Sequence, residues 1–342
     1  MRVLFDVTHP ALVHLFENPA RELADRGHAV AVAAREKDVT TQLLDATDIP
    51  YTVVSRARGG PLARAGELAV RTVGLARLSR QFEPTVVVSQ VDPAAVYAAR
   101  LAGANAVVFD DSEPERVAAA ATHRFADVVC TPRGFGRETP NQRRYDGFHE
   151  LAYLHPERFE PDRAALCEHG VDPESRYAVL RFVSWEAHHD LGRGGLSPAA
   201  KRRLVDELAE IGDVYVTSED AAGAPPNADA LPVPPERFHD LLACADCYAG
   251  DSQTTATEAA VLGVPAVRTN SFAGDGDMSN FRELEADYGL LESFADEDAA
   301  VSRAVDLFRD PPRERQARRR ARLVADKVDV AAFVADTVEG VA

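Results

Sequence analysis

The stretch with the most chemistry in its spacing is GDSQTTATEAAVLGVP, Gly250 to Pro265. An apolar segment ends near Ala249 and another begins at Val264, so the stretch reads as a strand–loop–helix–loop–strand unit. Gly250 permits a tight turn, and Asp251 or Ser252 is placed to cap the helix. Ser252, Thr254 and Thr255 then set hydroxyls and backbone N–H groups at the positive end of the helix dipole, where a diphosphate is attracted. Glu258 follows Thr254 and Thr255 by about one turn, so its carboxylate is spaced to accept two hydrogen bonds from a ribose diol beyond the phosphates. Gly263 ends the helix and Pro265 opens the next strand. The plain alternative is a Ser/Thr-capped amphipathic helix carrying an ordinary Glu.

Three other clusters carry groups able to move protons or meet charge. After the first apolar run, Asp6 lies at the strand edge, His9 in the loop and His14 about one turn into the next helix. His9 is the first choice as general base, with Asp6 to orient it. After the fifth run come Asp110, Asp111 and Glu113, carboxylates whose mutual repulsion is expected to raise at least one pKa. In the second half, Arg181 precedes SWEAHHDLGRGG. Arg181 or Arg193 would neutralise a departing diphosphate, and His188 would stand near it. His188, His189 and Asp190 do not read as a metal site, because sequence neighbours rarely point together. Cys244 and Cys247 form a C-x-x-C with no second pair at ligand spacing, so no metal is expected.

These clusters need strands to hold them. VLFDV, AVAVAA, YTVV, TVVVS, AVVF and DVVCT alternate with helix-length segments, which implies a parallel, doubly wound sheet. The alternation breaks across Gly147 to Arg176, and a second α/β series follows with YAVLRFV, DVYVT, DCYAG and VPAVRT. The expected organisation is a domain of residues 1–160 on the acceptor and catalytic side, then a nucleotide-sugar domain of residues 161–342 that includes the C-terminal helices. Two Rossmann-like halves are expected to face each other across a cleft, with ligand at the carboxyl ends of their strands. Backbone groups of Pro234 to Phe238 are candidates for reading a base.

Composition sets outer limits. A formal net charge of -17 would repel a nucleic-acid duplex, so nucleic acid is excluded as a partner. Lysine stands only at positions 37, 201 and 327, and this acidic, Lys-poor balance resembles that of proteins from salt-loving archaea. No apolar run is long enough to span a bilayer, and Val3 to Val7 lacks a signal-peptide cleavage site. Four cysteines argue for a reducing, cytoplasmic setting. Six arginines between Arg313 and Arg322 suit either neighbouring carboxylates or peripheral contact with an anionic membrane.

The segment EAAVLGVP at Glu258 to Pro265 resembles the GT-B superfamily, whose nucleotide-sugar enzymes carry small polar residues, a ribose-binding Glu and L-G-x-P in the second domain. The wider chain is similar to the mostly archaeal domain-of-unknown-function family 354, through FDVTHPALVHLFENPARELADRGHAVAVAAR, VVFDDSE, RFVSWEAHHD and the Glu258 segment. That family is related to lipid-linked N-acetylglucosaminyltransferases and non-hydrolysing UDP-N-acetylglucosamine 2-epimerases. The resemblance implies a glycosyltransferase with a UDP-type donor as substrate, no cofactor, and a lipid-linked or glycan acceptor, acting in cell-surface or glycoconjugate biosynthesis. It also marks Glu113 as the best match to an essential Glu of the epimerases. Their G-T-R-P-E start is replaced here by Val7-Thr8-His9-Pro10, which puts 2-epimerisation second. A non-catalytic nucleotide-sugar-binding protein is the third reading.

Overall fold

The computed structural model describes the chain except residues 58–60, 184–194, 219–228, 272 and 275, and residues 61–65 by backbone alone. It divides into two compact units, residues 1–158 with 327–342, and residues 159–326.

Unit 1 runs β1 (Arg2–Val7), α1 (Pro10–Asp25), β2 (Ala29–Glu36), α2 (Thr40–Asp45), β3 (Tyr51–Arg56), α3 (Pro61–Phe82), β4 (Val86–Gln90), α4 (Pro93–Ala102), β5 (Asn105–Phe109), α5 (Arg116–His123), β6 (Val128–Pro132), β7 (Gln142–Tyr145) and α6 (Leu151–Leu154). Its strands form one parallel sheet in the order β3-β2-β1-β4-β5-β6-β7. Val3, Leu4, Phe5, Val107, Val108 and Phe109 are buried in the central strands, as a sheet covered on both faces requires. Such strands show as continuous apolar runs. The edge strand β7, reading QRRY, is not an apolar run and was not legible that way.

Unit 2 runs α7 (Arg163–Glu168), β8 (Tyr177–Phe182), α8 (Pro198–Ala209), β9 (Asp213–Ser218), β10 (Asp229–Ala230), α9 (Phe238–Cys244), β11 (Cys247–Gly250), α10 (Gln253–Leu262), β12 (Ala266–Thr269), α11 (Ser279–Arg282), β13 (Leu291–Phe294), α12 (Glu297–Arg309) and α13 (Arg313–Asp326). Its sheet is also parallel, ordered β10-β9-β8-β11-β12-β13. Leu180, Phe182, Leu204, Leu208, Val267, Val301 and Phe308 belong to the core between this sheet and the helices α8 and α12.

The chain then returns to unit 1, which corrects the expectation that all the C-terminal helices belong to the second domain. Helix α14 (Val330–Glu339) buries Val330, Val334 and Val338, spaced at one helical turn, in unit 1. Charge fixes its place. Lys327 Nζ lies 2.6 Å from Asp146, and Arg158 Nε donates to Asp329 at 2.9 Å. Arg26 meets both Asp336 and Glu339, at 2.9 and 2.6 Å. An apolar stripe announces that a helix packs, but not on which partner.

The arginines of α13 find company inside unit 2. Arg313 pairs with Asp246, Arg318 with Glu314 and Arg322 with Asp326, while Arg319 and Arg320 donate to the carbonyls of Gly289 and Val261. Among the described residues no helix is long and apolar enough to cross a membrane.

Candidate functional site

In unit 2 the strand order reverses between β8 and β11, which makes their carboxyl ends the topological switch point where open α/β sheets take ligands. Helix α10 opens there. Its N-cap is Ser252, whose Oγ accepts from Thr255 N at 3.4 Å and lies 3.3 Å from Thr255 Oγ1. Asp251, the other candidate cap, is used differently: its Oδ1 accepts from Val183 N at 2.7 Å, tying the exit of β8 to that of β11, and Lys201 stands 3.7 Å from Oδ2.

Gly250 is required by the neighbouring strand rather than by a tight turn alone. A Cβ there would run into the Arg181 carbonyl oxygen and come within 2.9 Å of Tyr248 Oη. Arg181 is the register partner of Gly250 on β8 and donates to Thr217 Oγ1 at 3.2 Å. On the other side Gly250 pairs with Arg268 of β12, so arginines flank it at one level of the sheet. Arg268 is fully buried, bonded to Asp277 and Ser293, with its guanidinium 3.6 Å from the centre of the Phe281 ring.

Ser252 and Thr255 are buried at the helix start and Thr254 is half-buried. At the far end Gly263 adopts φ 80°, and Arg320 reaches the Val261 carbonyl, a cation at the negative end of the dipole. Glu258 sits on the helix one turn past Thr254 and Thr255. It is buried, with Oε1 2.9 Å from His239 Nε2. His239 was not legible as a site residue, because nothing in its spacing points to Glu258, 19 residues further along the chain.

In unit 1 the reversal falls between β1 and β4. His9 follows β1 as the N-cap of α1, its Nδ1 accepting from Ala11 N at 3.3 Å. His14 lies half-buried, its ring 5.3 Å from that of Tyr153. Asp6 does not orient His9. Its side chain is fully buried and bonded to Arg71, which also donates to Asp92 at 3.0 Å. Burial raises the Asp6 pKa to about 6 although the Arg71 charge lowers it. The strand's own alternation sends this carboxylate into the sheet interior, away from the loop that holds His9.

The acidic rim after β5 is divided among separate partners. Asp110 accepts from Ser112 N at 3.0 Å and faces His123 at 3.1 Å and Arg137 at 3.2 Å. Asp111 meets His149 Nδ1 at 3.1 Å and the Gln90 amide at 3.3 Å. Burial alone would raise the Asp111 pKa, yet the facing His149 brings it below the usual carboxylate value. Glu113 accepts from Gly136 N at 3.2 Å. The expected like-charge effect therefore does not fall on Asp111. It helps raise Glu115, after burial, through Asp110 and Asp111. Gln90, His123, Arg137 and His149 come from four other segments of the chain, so their convergence was not legible in the sequence. His188, His189, Asp190 and Arg193 lie outside the described residues.

By sequence the chain matches no family model and no curated protein. Solved structures match over nearly its whole length. The S. aureus MnaA–UDP co-structure aligns with TM-score 0.66 at 12% identity, covering 99% of this chain and 95% of that one. Spinosyn forosaminyltransferase SpnP aligns at 0.65 and 17% identity, covering 100% and 99%. The UDP-GlcNAc 2-epimerase from Methanocaldococcus jannaschii aligns at 0.62 and 14%, covering 92% and 94%. The fold is GT-B. Both Rossmann-like units of that architecture are present here, each with its own parallel sheet and switch point.

Proposed function

We propose that this chain is a GT-B glycosyltransferase that takes a UDP-type sugar donor for glycoconjugate or cell-surface biosynthesis. The observation that carries the reading is the hydroxyl-capped N-terminus of α10, opening at the switch point of unit 2 beside Arg181 and one turn before Glu258. A helix start of this kind offers N–H groups and the positive dipole end to a diphosphate, and a carboxylate further along suits a ribose diol. Arg181 would balance the charge that gathers on the leaving diphosphate. His9, Asp111 and Glu113 at the switch-point edge of unit 1 are the candidates for the proton transfer from an acceptor hydroxyl. Asp6, sequestered with Arg71, supports the sheet instead. The acceptor, lipid-linked or glycan, and any contact with a membrane surface belong to this proposal as well, as does membership of family 354.

A second reading, 2-epimerisation of a UDP-N-acetylhexosamine, draws support from the imidazole–carboxylate pairs Asp110–His123 and Asp111–His149, which suit elimination and re-addition of UDP. Incubation with UDP-N-acetylglucosamine alone separates the readings. Epimer or accumulating free UDP without acceptor supports the epimerase; binding without turnover, converted to transfer when an acceptor is supplied, supports the transferase. Absence of any UDP-sugar binding would overturn both.

Glu258→Ala is expected to weaken UDP binding by about 2–3 kcal/mol, through loss of two charge-assisted hydrogen bonds. Thr255→Val should weaken it less. Calorimetric titration checks both, with the melting temperature as a control because Glu258 also holds His239. Unchanged affinity in a folded Glu258→Ala protein would remove the nucleotide assignment.

A further inference from the structure

His149 lies between β7 and α6, in the stretch where the sequence pattern breaks, yet the fold returns it to the edge that carries Asp111. Its ring stacks on Tyr145, with centroids 6.3 Å apart and 11° between planes, and meets Phe109 edge-on at 6.2 Å. The imidazole is buried, and Nε2 has no hydrogen-bond partner, so its polar link runs through Nδ1 to Asp111 Oδ2 at 3.1 Å. Asp111 is the opposite case. Its side chain is 21% exposed at the strand ends, with its other oxygen held by Gln90. The pair thus has a buried imidazole and a partly exposed carboxylate.

We propose that His149 is a positioning residue that acts through Asp111, fixing the orientation and the negative charge of that carboxylate for the chemistry at the unit 1 edge. The proposal rests on the function argued above. A carboxylate whose pKa lies below the usual value stays charged and is suited to face positive charge building at an anomeric carbon.

The groups around the imidazole favour its charged form. Burial acts against it, but Asp111 directly, then Glu150 and Asp110, act for it, and the His149 pKa ends above the usual histidine value. Tyr145, on β7, is pushed up by burial and by Asp111, Cys130, Glu150 and Asp110, so it stays neutral. Arg137 and His123 engage Asp110 and leave His149 as the partner of Asp111.

The deciding variant is His149→Gln, which keeps a side-chain donor and removes the charge. Without the imidazolium, Asp111 loses the group that most lowers its pKa and keeps only the Gln90 and backbone hydrogen bonds against burial, so the acid limb of kcat/KM should move up by one pH unit or more. Near pH 5.5 the rate should fall about tenfold, with little change near pH 8.5 and unchanged UDP affinity. Histidine-labelled protein gives a readout that needs no turnover: by NMR, His149 should hold its proton above the ordinary histidine range, and Asp111→Asn should bring it below that range. Melting curves verify that each variant is folded. An acid limb unmoved by His149→Gln, or a His149 that titrates at or below the ordinary value, would overturn the proposal. Wild-type protein inactive on every nucleotide sugar would defeat the proposed function instead, and the NMR titration would then decide the pairing by itself.

Discussion

Arg71→Leu is expected to cost unit 1 about 3–5 kcal/mol at pH 8, the range found when one partner is removed from a buried ion pair. Arg71 is the cation bonded to Asp6, whose side chain has no contact with solvent, and it is itself buried between Asp6 and Asp92. Removing it strands a carboxylate in the sheet interior.

The pH dependence of that loss has a definite sign. In the native protein the Asp6 pKa is about 6 against an ordinary 3.8, so the folded state holds the proton more tightly. The stabilising contribution of protonated Asp6 is fully present below 3.8 and is lost as pH rises through about 6. Without Arg71 the folded pKa rises further, so Arg71→Leu should be mild near pH 5 and severe at pH 8. Asp6→Asn should flatten the native pH dependence. The double variant Asp6→Asn with Arg71→Leu should be more stable at pH 8 than Arg71→Leu alone, because no fully buried carboxylate is left without a cation and Asp92, which is partly exposed, keeps the bonds from Ala94 N and Ala95 N. Denaturant melts of the four proteins at both pH values measure this. A double variant no better than Arg71→Leu would mean that Arg71 acts by packing rather than by charge.

Glu113→Gln is expected to lower turnover on the true substrate by roughly a hundredfold or more with UDP affinity close to wild type, the pattern of a lost transition-state interaction. A glutamine oxygen still accepts the Gly136 N–H that Glu113 holds at 3.2 Å, so the loop after β5 should keep its shape. His9→Ala should reduce turnover to a similar extent, but it also removes the N-cap of α1, worth about 1 kcal/mol of stability, and is the less clean test. Turnover and UDP titration on the same preparations separate chemistry from binding. Full turnover in both variants would refute the assignment, and residues 188–190 would then become the next candidates.

The sequence determined the elements of this protein and the order in which they come. Parallel strands covered by helices are rich in apolar residues, so β1 to β6, β8, β9, β11 and β12 stand out as short apolar segments whose two series imply two Rossmann-like units, while GT-B in particular came from the resemblance carried by the Glu258 segment. The α10 segment was legible for a related reason: its cap, its hydroxyls, Glu258 and Gly263 act within one helix, where spacing along the chain is spacing in space. Contacts made across the chain had no such signature. Asp6 looked available to His9 because the two are close in sequence, but strand geometry sends its carboxylate to Arg71, 65 residues away. Helix α14 looked like part of the second domain because it follows it, and only the packing face and the pairs with Asp146 and Arg158 return it to the first. His149 and His239 gave no sign at all, since a histidine acquires its role from the carboxylate that folding brings to it. Local periodicity is written into neighbouring residues, whereas the charge state of a buried group depends on partners that tertiary structure alone assembles.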